Sequence, residues 1–311
     1  MRQRDRTESI LVLGAGELGA EVLRYLAGQA QTTPDTRISV LLRPATAGSS
    51  DPAKKRATNK LKEIGIEVAE GDVVAADENA LAALLAPYDT VISCIGFSAG
   101  QGTQTKITRA ALQAGVKRYV PWQFGVDYDT IGRGSAQDVF DEQLDVRDLL
   151  RAQRDTEWLI VATGMFTSFL FEPNFGVVDF ERDVVHALGN LDNRVTVTTP
   201  EDIGRLTAAI LLHEPRVVND TVFVAGDTIS YGELANELER ILGRPFERDE
   251  WTISHLSKAL ESDPDNGLLK YQAVFAAGVG VAWPKETTFN HRQGIETVDV
   301  ATWVQRHLKC S

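Results

Sequence analysis

The sequence predicts an α/β protein built on a doubly wound parallel sheet, with a smaller region toward the C-terminus. Three observations carry this. The apolar run Ile10-Leu11-Val12-Leu13 has the composition of a strand buried on both faces. Glycines follow at once as Gly14-Ala15-Gly16-Glu17-Leu18-Gly19, and a helical pattern at Ala20, Val22, Leu23 and Leu26 follows them. Short apolar strands then alternate with helices to about residue 163, the order that yields parallel strands joined by right-handed crossovers.

The glycine turn stands in the context that gives G-x-G-x-x-G a mechanism, strand before and helix after. Gly14 allows the tight turn, Gly16 lets a pyrophosphate approach the backbone, and Gly19 lets the helix pack against the sheet. The first helical turn, at Glu17 and Leu18, presents free N–H groups and the positive end of the helix dipole to phosphates. The expectation is a Rossmann dinucleotide site.

The second strand, Arg37 to Leu42, ends in Arg43. An acidic residue here would bond a ribose 2′-hydroxyl, whereas a guanidinium suits a 2′-phosphate, so NADP(H) is expected over NAD(H). Lys54, Lys55 and Arg56 follow near a helix start; they read as a solvated helix face, with Lys54 the candidate for the phosphate. Ile64 to Glu70 reads as strand three, closed by Gly71-Asp72, with Asp72 either beside the adenine end or in an Asx turn. Glu78 to Ala86 is a helix, Asp89 to Ile95 strand four, Thr103 to Gly115 a helix and Val116 to Val120 strand five. Ligands lie beyond the carboxyl ends of strands in such sheets, which places Ser93, Ile95 and Gly96 at the cofactor.

Two stretches exceed a bare nucleotide domain. Pro121 to Tyr128 is dense in aromatics: Trp122 and Tyr128 are candidate substrate walls, or loop packing, and Phe124 a cofactor neighbour. A helix from Ser135 to Gln153 follows, with Ser135 as its cap and Asp138 favouring its start. After strand six, Glu157 to Thr163, the cluster Gly164 to Phe171 supplies Met165 toward the cofactor and Phe166 and Phe169 toward the substrate, or else core. Beyond it, Val177 to Leu188 reads as a strand pair, Arg194 to Thr198 as a strand, and Pro200 to His213 as a helix. Thr221 to Val224 reads as a strand rejoining the main sheet, and Tyr231 to Leu242, Trp251 to Leu260 and Leu269 to Ala277 as helices. The expected division is a cofactor domain over 1–163, with 194–225 rejoining it, and a smaller substrate-binding region over 164–193 and 226–311.

At 311 residues and 43% hydrophobic the chain can bury a large core, and a net charge of −12 argues against a general nucleic-acid binder. The two cysteines, Cys94 and Cys310, form no disulfide framework, and neither they nor the five histidines have metal-ligand spacing. No apolar stretch reaches the length of a bilayer span, and Met1 to Glu8 is polar, so the expected setting is cytoplasmic, as a monomer or homodimer without membrane partners.

The glycine turn, Arg43, Gly71-Asp72, Val116 to Pro121 leading into Phe124-Gly125, and the helix start Glu201-Asp202-Ile203-Gly204 together resemble the isoflavone-reductase/NmrA-like branch of the atypical short-chain dehydrogenases. The resemblance runs over most of 9–225 and implies a Rossmann domain binding NADP(H) with a small C-terminal domain. It also implies a lysine near the start of the helix after the Phe-Gly loop, which polarises substrate or relays a proton. Aligning Phe140 and Val146-Arg147 without a gap puts Gln137 there, a side chain with no proton to give at neutral pH. The Tyr-x-x-x-Lys pair is absent too, since Tyr119 is followed four residues on by Gln123 and Tyr128 by Gly132. With Gln137 in that position, either a proton comes from Asp127, Tyr128, Asp138 or water, or the chemistry needs no such lysine, or there is no chemistry. Three functions therefore stay open: an NADP(H)-dependent oxidoreductase of secondary-metabolite type acting on an aromatic or heterocyclic molecule; an enzyme of this fold running acid/base chemistry such as Pictet–Spengler-type imine cyclisation; and a non-catalytic NADP(H) redox sensor.

Overall fold

Strand β1 (Glu8–Leu13) lies inside the main sheet, paired with a strand on each side, and its burial is near total from Ser9 onward. In this computed structural model, which describes residues 8–30 and 36–308, the chain continues through α1 (Glu17–Ala30), β2 (Thr36–Leu42), α2 (Pro44–Ala47), α3 (Pro52–Glu63) and β3 (Glu67–Glu70). Next come α4 (Glu78–Leu85), β4 (Thr90–Ser93), α5 (Thr103–Ala114), β5 (Arg118–Val120), α6 (Tyr128–Ile131), α7 (Val139–Arg151) and β6 (Glu157–Ala162). Then follow β7 (Met165–Phe166), β8 (Val178–Asp179), β9 (Val184–Leu188), β10 (Arg194–Thr198), α8 (Pro200–Leu211), β11 (Asp220–Phe223) and β12 (Asp227–Ser230). The last elements are α9 (Tyr231–Leu242), β13 (Glu247–Trp251), α10 (Ile253–Ser262), α11 (Gly267–Ala277), α12 (Phe289–Arg292) and α13 (Val300–His307). Cys310 lies outside the described residues.

Seven strands form one sheet in the order β11-β6-β5-β4-β1-β2-β3. The pairs from β3 to β6 are all parallel, with Val12 opposite Val40 on one side and Ile92 on the other. This is the doubly wound Rossmann sheet, and its strand order reverses between β1 and β4. Side chains from successive strands and helices, among them Leu11, Leu13, Leu81, Val91, Ile107, Tyr119 and Ile160, form one core cluster. Each such burial stabilises by roughly 1.5–3 kcal/mol. Opposite the ligand end, Asp89 clasps the sheet: its carboxylate accepts from the Ser9 amide (3.0 Å) and hydroxyl (2.8 Å) and pairs with Lys117 (2.7 Å).

The chain divides into two compact units: residues 1–123, 145–161 and 203–221 form the first, and 124–144, 162–202 and 222–311 the second. The first holds the glycine turn and most of the large sheet. The second holds two three-stranded sheets, β12-β10-β7 and β13-β9-β8, with helices α9 to α13. Of the stretch 194–225, β11 joins the edge of the large sheet, whereas β10 pairs with β7 and β12 in a separate one.

Several expected boundaries shift. The helix expected from Ser135 begins at Val139, and the Ser135 hydroxyl donates to the Gln137 carbonyl (3.3 Å) instead of capping it. Ser135 is simply too far upstream, because Gly132 and Gly134 at positive φ and the short α6 take up the preceding chain. Trp251 closes strand β13 and the helix starts at Ile253, capped by Thr252. The sequence Glu-Arg-Asp-Glu-Trp hid that strand because it is an edge strand, exposed along four of its five residues. Strand β12 and helix α13 were not anticipated either. No helix among the described residues is long and apolar enough to cross a membrane.

Candidate functional site

In the first unit, the loops after β1, β2, β3 and β4 surround one cavity of about 930 Å³. Gly14, Ala15 and Gly16 border it from β1, Arg43 and Thr46 from β2, Gly71, Val73 and Val74 from β3, and Cys94, Ile95 and Gly96 from β4. Lys54, Thr58 and Lys60 of α3 and Ala20, Glu21 and Arg24 of α1 close its flanks. The cavity thus opens at the carboxyl ends of the strands, where the strand order reverses, the position at which such sheets hold nucleotides.

The glycines behave as their spacing implies. Gly14 turns at φ +86°, and a Cβ there would come within 2.8 Å of Ile95 Cδ1. A Cβ on Gly19 would be driven into the Gly14 carbonyl oxygen, so glycine alone lets α1 sit this close to the turn. A Cβ on Gly16 would meet no protein atom within 4 Å, which leaves space over that backbone for a ligand. Glu17 begins α1 at the surface, while Leu18 is buried beneath it. These residues fit a pyrophosphate held at a helix N-terminus.

Arg43 is exposed at the end of β2, and its side chain makes no capping hydrogen bond to α2. Asp72 does not border the cavity; it closes the turn after β3, accepting from the amides of Val74 (2.9 Å) and Ala75 (3.2 Å). Those two amides, helped by the charges of Arg43 and Lys106, hold its carboxyl below the usual range. Ser93 is fully buried behind Cys94, whose thiol burial pushes up to about 12.

Two supports lay outside the sequence reading. Lys106 of α5 donates to the carbonyls of Val74 (2.8 Å) and Ala76 (2.9 Å), fixing the loop after β3. Gln104 donates to the Ile95 carbonyl (2.8 Å), fixing the loop after β4. Trp122 packs on this wall, with its ring 3.1 Å from where a Gly96 Cβ would be. Behind it, fully buried Gln123 accepts from Arg147 Nε at 2.7 Å.

The other candidates belong to the second unit. Phe124 and Met165 are buried there, and neither borders the cavity. Phe166 and Phe169 are half-buried, Phe169 against Phe175 with ring centroids 4.8 Å apart. Tyr128 is buried edge-to-face on Phe140 (5.0 Å), which in turn meets Tyr271 (5.7 Å). Asp127 caps α6, accepting from the Thr130 hydroxyl at 2.6 Å. Gln137 is buried, and its amide donates to the Gly267 carbonyl (3.1 Å). One residue on, the exposed Asp138 carboxylate forms an ion pair with Lys270 of α11. Neither Lys270 nor Tyr271 was singled out, because they stand some 130 residues downstream in an apolar helix.

Residues 6–280 match the model of the NmrA-like family. An NmrA-like family domain-containing oxidoreductase of Gibberella moniliformis is 46% identical over 305 residues, covering 97% of this chain and 98% of that protein. The structure of AtPrR2 with NADP+ and (+)pinoresinol superposes with a TM-score of 0.75 at 19% identity, covering 98% of this chain and 99% of that one. The binary complex of leucoanthocyanidin reductase with NADPH from Vitis vinifera gives 0.72 at 20% identity, covering 97% and 95%.

Proposed function

The chain belongs to the NmrA-like family, and on that premise we propose that it is an NADP(H)-dependent oxidoreductase acting on an aromatic or heterocyclic small molecule of secondary-metabolite type. The observation that carries this reading is the convergence of Gly14, Gly16, Arg43 and Lys54 on one cavity at the carboxyl ends of β1 and β2. The glycine backbone and the start of α1 would hold the pyrophosphate, and Arg43 with Lys54 the 2′-phosphate. The 46% identical relative is named an oxidoreductase, and two structural neighbours were solved with NADP+ or NADPH, which supports the same cofactor here.

The bound cofactor supplies or accepts a hydride. The chain must then hold or move the balancing proton. Gln137 has none to give, and its amide is already committed to Gly267. Asp127 spends its carboxylate on Thr130. At the start of α7 the Asp138 carboxylate pairs with Lys270 of α11, and we assign proton delivery to the Lys270 ammonium with Asp138 holding it in place. Phe166 and Phe169, half-buried in the second unit, are the aromatic side chains suited to a planar substrate, whereas Tyr128 is used up in packing on Phe140.

Titration of the protein with NADPH and NADP+ tests the cofactor, with tryptophan quenching as the readout because Trp122 packs against Gly96. The reaction is tested by following reduced nicotinamide absorbance with a panel of aromatic carbonyls, enones and imines. Saturable NADPH binding with substrate-dependent consumption supports the reading, and absence of binding overturns it. Gln137 favours one second reading, acid/base chemistry in which the cofactor is not consumed; product formed without loss of NADPH would establish that instead.

A further inference from the structure

Helix α3 carries a dense run of positive charge. Lys54, Lys55, Arg56, Lys60 and Lys62 lie on twelve residues that contain a single acid, Glu63, in a chain whose net charge is −12. All five cations are exposed, and among the described residues none of them forms an ion pair. Lys54 stands in the first turn, against the positive end of the helix dipole, where an acidic residue would stabilise. Arg56 and Lys60 are four apart and repel each other along one side. Lys60 and Lys62 stand in the last turn, where the helix dipole favours them, so the cost falls on the first turn and on the Arg56–Lys60 side. An anion from outside would relieve every one of these repulsions.

The cations fall into two sets. Lys54 and Lys60 border the cavity, whereas Lys55, Arg56 and Lys62 do not. Lys55 and Lys62, seven apart, share the flank away from the cavity, and Arg56 points outward between the flanks. We propose that Lys55, Arg56 and Lys62 form an encounter surface for the phosphates of the dinucleotide, drawing it to the cavity without holding it once bound. The inference rests on the NADP(H) reading. An anionic protein repels a ligand whose 2′-phosphate alone carries about two negative charges. A local positive face on the helix that borders the cavity offsets that repulsion during approach and accelerates capture, by roughly ten- to a thousandfold in known cases. Charges at this range are screened beyond about 8 Å at physiological salt, so the acceleration is largest in dilute buffer.

The test is stopped-flow binding of NADPH to the full chain, comparing wild type with the triple variant Lys55→Gln/Arg56→Gln/Lys62→Gln across ionic strength. A second triple variant, Lys258→Gln/Arg292→Gln/Arg306→Gln, removes the same charge from exposed positions in the other unit. The α3 variant is expected to associate about tenfold more slowly at low salt, with a flatter salt dependence and an unchanged dissociation rate. The control variant should follow wild type. Equal association rates for wild type and the α3 variant overturn the proposal, as does a loss appearing in dissociation, which would make these residues part of the bound site. Equal slowing of both variants also overturns it, because net charge alone would then be responsible. Failure of wild type to bind NADPH is a different result: it removes the cofactor reading and this inference with it.

Discussion

Lys270 reaches from α11 to the carboxylate of Asp138, one residue past Gln137 at the start of α7. The lysine is only 15% exposed and the aspartate 66%, so the pair is screened and contributes at most about 1 kcal/mol to stability. Lys270→Met should therefore leave the melting temperature almost unchanged. Turnover should nonetheless fall by about 10²- to 10⁴-fold, the usual contribution of a positioned proton donor. Unchanged turnover would remove Lys270 from the chemistry.

On the proposed reading, Arg43 selects NADPH over NADH. Loss of its hydrogen bonds to a charged phosphate costs about 1.5–3 kcal/mol, so Arg43→Ala should weaken NADPH about 10- to 100-fold. NADH, which lacks the 2′-phosphate, should bind the variant as it binds wild type. Comparable losses for both nucleotides would refute the assignment.

The glycines separate fold from binding. A methyl at Gly16 meets nothing within 4 Å, so Gly16→Ala should change stability by no more than about 0.5 kcal/mol while abolishing tight NADPH binding. A methyl at Gly19 meets the Gly14 carbonyl, so Gly19→Ala should cost stability itself, by roughly 1–3 kcal/mol as overpacking does. Urea unfolding and NADPH titration on both variants check the pair.

Asp89 sets an acid limit. Burial works against its charge, but Lys117 and the Ser9 donors outweigh that and bring its carboxyl from 3.8 to about 2. A depressed carboxyl contributes stability at pH values above the unfolded pKa and loses it as pH falls through the folded one. The contribution is about 2 kcal/mol, present at neutrality and lost between about pH 4 and pH 2. Asp89→Asn should lower stability at pH 7 by a similar amount and flatten its dependence below pH 4, as measured by urea unfolding at several pH values.

The large sheet was legible because each parallel strand is buried on both faces and so reads as a short apolar run, as in Ile10 to Leu13 or Leu159 to Ala162. Helix α9 was legible for a local reason as well: Ser230 and Glu233 form a reciprocal capping box at its start. Strand β13 was not, because a charged edge strand has neither apolar alternation nor a turn signal of its own.

The sequence by itself determined the glycine turn, its flanking strand and helix, and the guanidinium at position 43, since each depends on neighbours only a few residues away. It also established that position 137 holds no ionisable proton. Only the tertiary structure decided what surrounds these residues: Lys106 on the loop after β3, Gln104 on the loop after β4, and Lys270 on Asp138 across 132 residues of chain. Such contacts are made by side chains whose spacing in sequence carries no period, and only folding gives them a distance.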